Sequence, residues 1–179
     1  SKTKIHVSVV KGYHLPSTVN SNTLVVTTSV SGNTIETITV LDSARKAKNK
    51  IIAFSSGGKM EEYCKKYKLE YRKISLIHSP RASFTAFLYG MLNVVDNILP
   101  LTKNDVLESI SSLENLSKEI STSNLTKNNS ALDLAYWISG IPIIYYPWGL
   151  QAAAIRFKNS LQENAKIHVI AEDVVESCH

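Results

Sequence analysis

The stretch "NTLVVTTSVSGNTIETITVLDSARKA", residues 22–47, decides how the chain reads. Leu24 to Val26 form a short β-branched run of the kind buried in parallel sheets. Ile35, Ile38 and Leu41 then recur at helical spacing. Between them stands a polar elbow containing Thr27, Thr28, Ser29, Ser31, Asn33 and Thr34. A strand-to-helix turn needs one Gly or Asn, so this surplus of hydroxyls needs a cause.

The same rhythm extends on both sides. "KIHVSVV" (4–10), "KIIAFSS" (50–56) and "YRKISLI" (71–77) read as further strands. "IETITVLDSARKAK" (35–48) and "KMEEYCKKYK" (59–68) read as helices between them. Strand and helix alternating at this spacing predict an α/β fold with a doubly wound parallel sheet. From Ser79 the pattern becomes helical. Ser79 is the expected N-cap and Pro80 the first helical residue of a helix over 79–99. Helices follow over 104–120 and over 130–138, the last with Ser130 as its expected cap. "IPIIYY" (141–146), a helix over 149–165 and "KIHVIAEDVV" (166–175) then restart the strand–helix alternation. Residues 1–127 are therefore expected to form a first α/β domain with a helical connection, and 128–179 the start of a second.

The chain has 179 residues, 44% of them hydrophobic, enough for one good core or one and part of another. No run approaches the roughly 18 apolar residues of a membrane span, and no basic-then-apolar leader stands at the start, so a cytoplasmic protein is expected. The sequence opens on Ser1 and stops at "VVESCH" (174–179), and it reads as an excerpt of a longer chain. Cys64 and Cys178 lack metal-ligand spacing and read as reduced thiols. Residues 45–73 carry ten Lys or Arg against three Glu. Most of these fall at helix ends and following turns, where basic residues complement the macrodipole, so a solvated face is expected rather than a nucleic-acid footprint.

Two readings of the elbow stand at this point. In the first, Ser31 or Asn33 caps the following helix and the other hydroxyls are turn residues. In the second, Ser29, Ser31 and Thr34 surround a helix N-terminus at the carboxyl end of a strand, and Gly32 lets backbone approach an anion such as a phosphate monoester. The turn is not a Walker loop, because no G-K-[ST] follows. Arg81 is expected in the first turn of its helix, where the dipole disfavours a cation unless an anion lies nearby. The second polar turn, "SSGGK" (55–59), reads as an ordinary glycine turn.

"SVSGNT" (29–34) resembles the S-Y-S-G-N-T signature of sugar isomerase (SIS) domains, which bind phosphosugars. "SPRASF" (79–84) and "RFKNSLQENAK" (156–166) resemble segments of the bifunctional phosphoglucose/phosphomannose isomerases. "VVESCH" falls where that family carries a short acidic segment ending in His. The resemblance spans nearly the whole chain in the family's order. Val30 stands where the family has an aromatic, and Gln162 where it has an Asn. The family's G-M-G-G-S turn and a later lysine have no counterpart here, so the first sheet is expected to lack a strand.

The resemblance implies a flavodoxin-like SIS fold and an aldose–ketose isomerase of glucose 6-phosphate or mannose 6-phosphate and fructose 6-phosphate. It implies that Ser29, Ser31 and Thr34 hold the phosphate and that Arg81 stabilises an enediolate. Glu163 would move the proton between C2 and C1, and His179 would assist ring opening. Glu163 also falls near the negative end of its predicted helix, a setting that favours proton uptake; its bland alternative is a surface pair with Lys166. The family relationship further implies chemistry without metal or cofactor, and a homodimer with a shared site. The chief rival is an SIS module that binds a phosphosugar without turning it over.

Overall fold

The computed structural model describes residues 4–126 and 128–178. The chain divides into two compact units, residues 1–101 and 102–179. In the first, β1 (Leu24–Ser29), β2 (Lys50–Ser55) and β3 (Glu70–Lys73) form a parallel sheet in that order. The helices α1 (Ile35–Lys46) and α2 (Gly58–Tyr67) connect them, and a 3₁₀ turn at Arg81–Ser83 leads into α3 (Phe84–Val94).

Alternation along β2 sends side chains to two separate cores, because successive residues of a strand point to opposite faces. Ile51 and Ala53 join Val25 of β1, Leu41 and Ala44 of α1, and Met60 and Cys64 of α2. Phe54 joins Ile74 and Phe87 of α3, with Ile52 and Val30 packed alongside. The helices α1 and α2 thus cover one face and α3 the other. Leu41, Phe54 and Met60 are fully buried, and each such side chain contributes about 1.5–3 kcal/mol over an exposed one. Cys64 belongs to this core, and burial pushes its thiol up to about 11; Cys178 is exposed.

A polar network fastens α1 to α2. Tyr63 donates to Asp42, Arg45 Nε donates to the Tyr63 hydroxyl at 2.7 Å, and Lys46 reaches the second Asp42 oxygen at 2.7 Å. The Arg45 guanidinium also lies 4.1 Å from the centre of the Tyr67 ring, a cation–π contact. The bonds from Lys46, Tyr63 and Arg45 hold the Asp42 carboxyl well below its ordinary 3.8. Lys65 and Lys73 pair with Glu61, and Arg72 with Glu70, so much of the basic stretch lies in local ion pairs.

The second unit contains α4 (Lys103–Glu119), α5 (Ser130–Trp137), β4 (Ile143–Tyr146), α6 (Gln151–Ser160), β5 (Ile170–Asp173) and α7 (Val174–Ser177). Strands β4 and β5 are parallel. Thr102 and Asp105 close a reciprocal capping box at the start of α4. Asn129, not Ser130, caps α5, its Oδ1 accepting from Leu132 N at 3.0 Å. Among the described residues no helix is long and apolar enough to cross a membrane.

Three expected strands are corrected, each for the same reason: a strand lasts only as long as its neighbour does. Residues 4–10 form no strand and are exposed; among the described residues they belong to neither sheet, and β1 has β2 as its ladder neighbour. The third strand ends at Lys73 rather than 77, because its partner Ser55 is the last residue of β2. The last strand ends at Asp173, opposite the final residue of β4, where the Asp173 carboxylate accepts from Val175 N at 2.8 Å and starts α7. Ile35, expected on the core face of α1, is 66% exposed, and Leu41 and Ala44 carry that face instead.

The depressed Asp42 carboxyl gives a signed prediction. Its contribution is present above the unfolded value of about 3.9 and is lost as pH falls toward the lower folded value. Asp42→Asn should therefore unfold at lower denaturant than the parent at pH 7, and the gap should narrow as pH falls from 4 to 2.5. A gap constant over that range would contradict the ion-pair account.

Candidate functional site

The register Ser29↔Ser55 brings β1 and β2 to the same level at their carboxyl ends. Their two polar turns therefore leave the sheet side by side. Ser56 N donates to Val30 O at 2.9 Å, Ser56 Oγ to the same oxygen at 2.6 Å, and Met60 N to Gly32 O at 2.9 Å. A Cβ on Gly32 would lie 1.8 Å from Gly57 O, and one on Gly58 would lie 2.5 Å from Ser31 O. Gly32 has φ +69° and Gly58 φ +72°, so glycine is required here both for space and for conformation. The "SSGGK" turn is thus more than the ordinary glycine turn its sequence suggests. It is the second wall of the elbow.

Within the elbow Ser29, Ser31, Asn33 and Thr34 have defined partners, whereas Thr27 Oγ1 is buried without one. Ser29 is buried; its Oγ accepts from Gly32 N at 3.1 Å and lies 2.7 Å from Thr34 Oγ1. Ser31 Oγ accepts from Asn33 N at 3.2 Å. Asn33 Oδ1 accepts from Lys59 N at 3.1 Å. Thr34 occupies the N-cap position of α1, yet no side chain caps that helix among the described residues. The simple capping alternative, with Ser31 or Asn33 closing α1, is therefore not what forms. The N–H groups of Ile35, Glu36 and Thr37 open α1 at the mouth of the elbow, the first turn of a helix that attracts anions. Ser31 and Thr34 are exposed beside them.

Ser55 anchors the floor of the second turn. Its hydroxyl donates to Gly57 O at 2.8 Å, and Tyr71 Oη donates to Ser55 O at 3.1 Å. Tyr71 thereby ties β3 to the same point.

The comparisons with known proteins bear on the family and the fold. Residues 127–179 match the family described as the bacterial phospho-glucose isomerase C-terminal SIS domain. The bifunctional phosphoglucose/phosphomannose isomerase of Caldicellulosiruptor bescii is 34% identical over 172 residues, covering 92% of this chain and 50% of that protein. This chain is a relative of the bifunctional phosphoglucose/phosphomannose isomerases. The enzyme of that name from Thermoplasma acidophilum is 31% identical over 161 residues, 90% of this chain and 48% of that protein. A crystal structure of a candidate phosphosugar isomerase from Bacillus subtilis superposes with a TM-score of 0.61 at 20% identity, covering 92% of this chain and 51% of the other. It supports the fold. The chain spans about half the length of the curated relatives it matches.

Of the residues that the phosphoglucose/phosphomannose isomerase resemblance singles out, Ser29, Ser31 and Thr34 lie together in the elbow. Arg81 belongs to the same unit but opens the 3₁₀ turn, so it precedes α3 instead of occupying its first α-helical turn. Ser79 is not the expected N-cap: Pro80 precedes the 3₁₀ turn and Ser83 precedes α3, while Ser79 O and Oγ receive Ala82 N at 3.1 and 3.4 Å. Glu163 belongs to the second unit. It is exposed within a π-helical turn, Leu161–Ala165, that continues α6 and ends at Lys166 in the left-handed conformation. Such π turns recur at functional sites. His179 lies outside the described residues.

Packing of the two turns predicts an asymmetric glycine response. Gly32→Ala should cost about 2 kcal/mol or more, since it adds both a clash and left-handed strain. Gly12→Ala, at φ +103° with nothing within 4 Å, should cost about 1 kcal/mol from backbone strain alone. Denaturant unfolding of the two variants checks the difference, and equal losses would contradict the close approach.

Proposed function

We propose that this chain is the phosphosugar-binding part of an isomerase interconverting glucose 6-phosphate or mannose 6-phosphate with fructose 6-phosphate. The observation that carries the reading is the open N-terminus of α1, flanked by Ser29, Ser31 and Thr34, in a relative of enzymes bearing that name. A phosphate dianion there accepts hydrogen bonds from the first-turn amides and from the exposed hydroxyls. The acid in that first turn, Glu36, offsets part of the dipole's attraction, so binding rests mainly on directed donors.

With the phosphate anchored, the sugar's carbon end is where the chemistry falls. The Glu163 carboxylate takes the proton from C2 of the open-chain aldose as the C1=C2 bond forms. Arg81 stabilises the negative charge that develops on the C1 oxygen. Glu163 then returns the proton to C1 while the proton of the C2 hydroxyl passes to the C1 oxygen, and the ketose results. His179 assists ring opening, and the proton transfers call for no metal or cofactor. The site is proposed to be shared in a cytoplasmic homodimer, with His179 serving the partner's site. The resemblance of "SVSGNT" (29–34), "SPRASF" (79–84), "RFKNSLQENAK" (156–166) and "VVESCH" (174–179) to segments of the isomerases supports these roles.

A second reading, a phosphosugar-binding module without turnover, is favoured by one observation: the elbow's donors all come from residues 29–37, independent of Glu163. Incorporation of solvent deuterium at C1 of fructose 6-phosphate, or at C2 of the aldose formed from it, separates the two. Exchange catalysed by the parent and lost in Glu163→Gln is the expected result. Binding without exchange in the parent selects the second reading, and equal exchange in both proteins removes Glu163 as the base. Ser31→Ala should weaken binding about tenfold or more, as expected for losing a hydrogen bond to a charged group.

A further inference from the structure

We propose that Asn33 is a positioning residue of this elbow, acting by capping the neighbouring helix α2 rather than the helix it precedes. The inference rests on the reading of the elbow as the phosphate site. Asn is among the best N-caps, and Asn33 stands two residues before Ile35, the first residue of α1. Its Oδ1 nevertheless accepts from Lys59 N, in the first turn of α2, at 3.1 Å. Its Nδ2 donates to Ser31 O at 3.3 Å. One amide therefore holds the elbow's own backbone with one end and the opposite turn with the other.

Two consequences follow. Every elbow side chain able to cap α1 is engaged elsewhere: Ser31 Oγ with Asn33 N, Asn33 Oδ1 with Lys59 N, and Thr34 Oγ1 with Ser29 Oγ. The first amides of α1 are kept for a ligand. The tie also holds Gly58 in place, where the amide and Ser31 O already leave no room for a side chain: a Cβ there would lie 2.8 Å from Asn33 Oδ1. Freed from Lys59, the Asn33 amide would be available to cap α1 itself and compete with the phosphate.

The tie can be cut from either side. Asn33→Leu removes the acceptor. Lys59→Pro removes the donor and sets Cδ where the N–H pointed, displacing the Asn33 amide without changing any elbow residue, at a first-turn position where Pro is tolerated. Lys59→Gln removes the charge but keeps the N–H. Calorimetric titration with fructose 6-phosphate, with thermal unfolding to verify that each protein is folded, gives the readout. Both Asn33→Leu and Lys59→Pro should raise Kd on the order of tenfold, the scale of one lost cap, while Lys59→Gln binds as the parent does. Their double variant should be no weaker than the weaker single. If Asn33→Leu does not fold, Lys59→Pro carries the test alone. Parent-like affinity in Lys59→Pro would overturn the positioning role, as would an equal loss in Lys59→Gln. Absence of binding by the parent would instead overturn the phosphate reading, and the role of Asn33 with it.

Discussion

The close approach of Gly32 to Gly57 is the constraint from which the candidate site follows. Parallel strands in register end at one level, so their turns must either diverge or interlock. Here they interlock, with Gly32 and Gly58 in left-handed conformations and with backbone bonds from Ser56 to Val30 and from Met60 to Gly32. A Cβ at either glycine would push the turns apart by more than a soft side chain can absorb, because the opposing atoms are backbone carbonyl oxygens. The elbow's shape therefore comes from two loops together and not from its own sequence alone.

The sheet beneath makes that arrangement stiff. β2 is central, and its alternate residues are held by α1 and α2 on one side and by α3 on the other. Phe54 and Ser55, adjacent in sequence, point to opposite faces and are both fully buried. The second turn thus starts from a strand end that cannot tilt without disturbing a core. Tyr71 adds a hydroxyl bond from β3 to Ser55. A ligand at the elbow would meet donors already fixed in place, which lowers the ordering cost of binding.

How far the sequence could be read depended on whether a feature is local. The strand–elbow–helix unit at 24–46 and the parallel pairing come from neighbouring residues, and they were legible. Strand lengths were not, because Leu76 and Ile77 are as β-prone as Ile51 and Ile52, and only the end of β2 decides that they stay unpaired and exposed. Residues 4–10 fail for the same reason. The elbow's hydroxyls were legible as a cluster, but the destination of the Asn33 amide was not. A cap at i+2 is the local expectation, and its actual partner lies 26 positions away. The signal that could have found it was the paired Gly57–Gly58, an unusual allowance of space opposite an equally crowded turn.

The surplus of hydroxyls then has a specific physical explanation. Ser29 Oγ accepts from Gly32 N and shares one hydrogen bond with Thr34 Oγ1. Each hydroxyl carries one proton, so the pair has two protons and uses one between them. Whichever residue donates inward, the other keeps a proton for an acceptor outside. If Ser29 donates to Thr34, the remaining proton is on the exposed Thr34 hydroxyl; if the direction reverses, it is on the buried Ser29. A single capping serine would have spent its acceptor on α1 and closed the site. The hydroxyl pair instead stabilises the turn from within while leaving one donor and the first amides of α1 unspent. That combination suits an anion with several acceptor oxygens better than any neutral group of similar size.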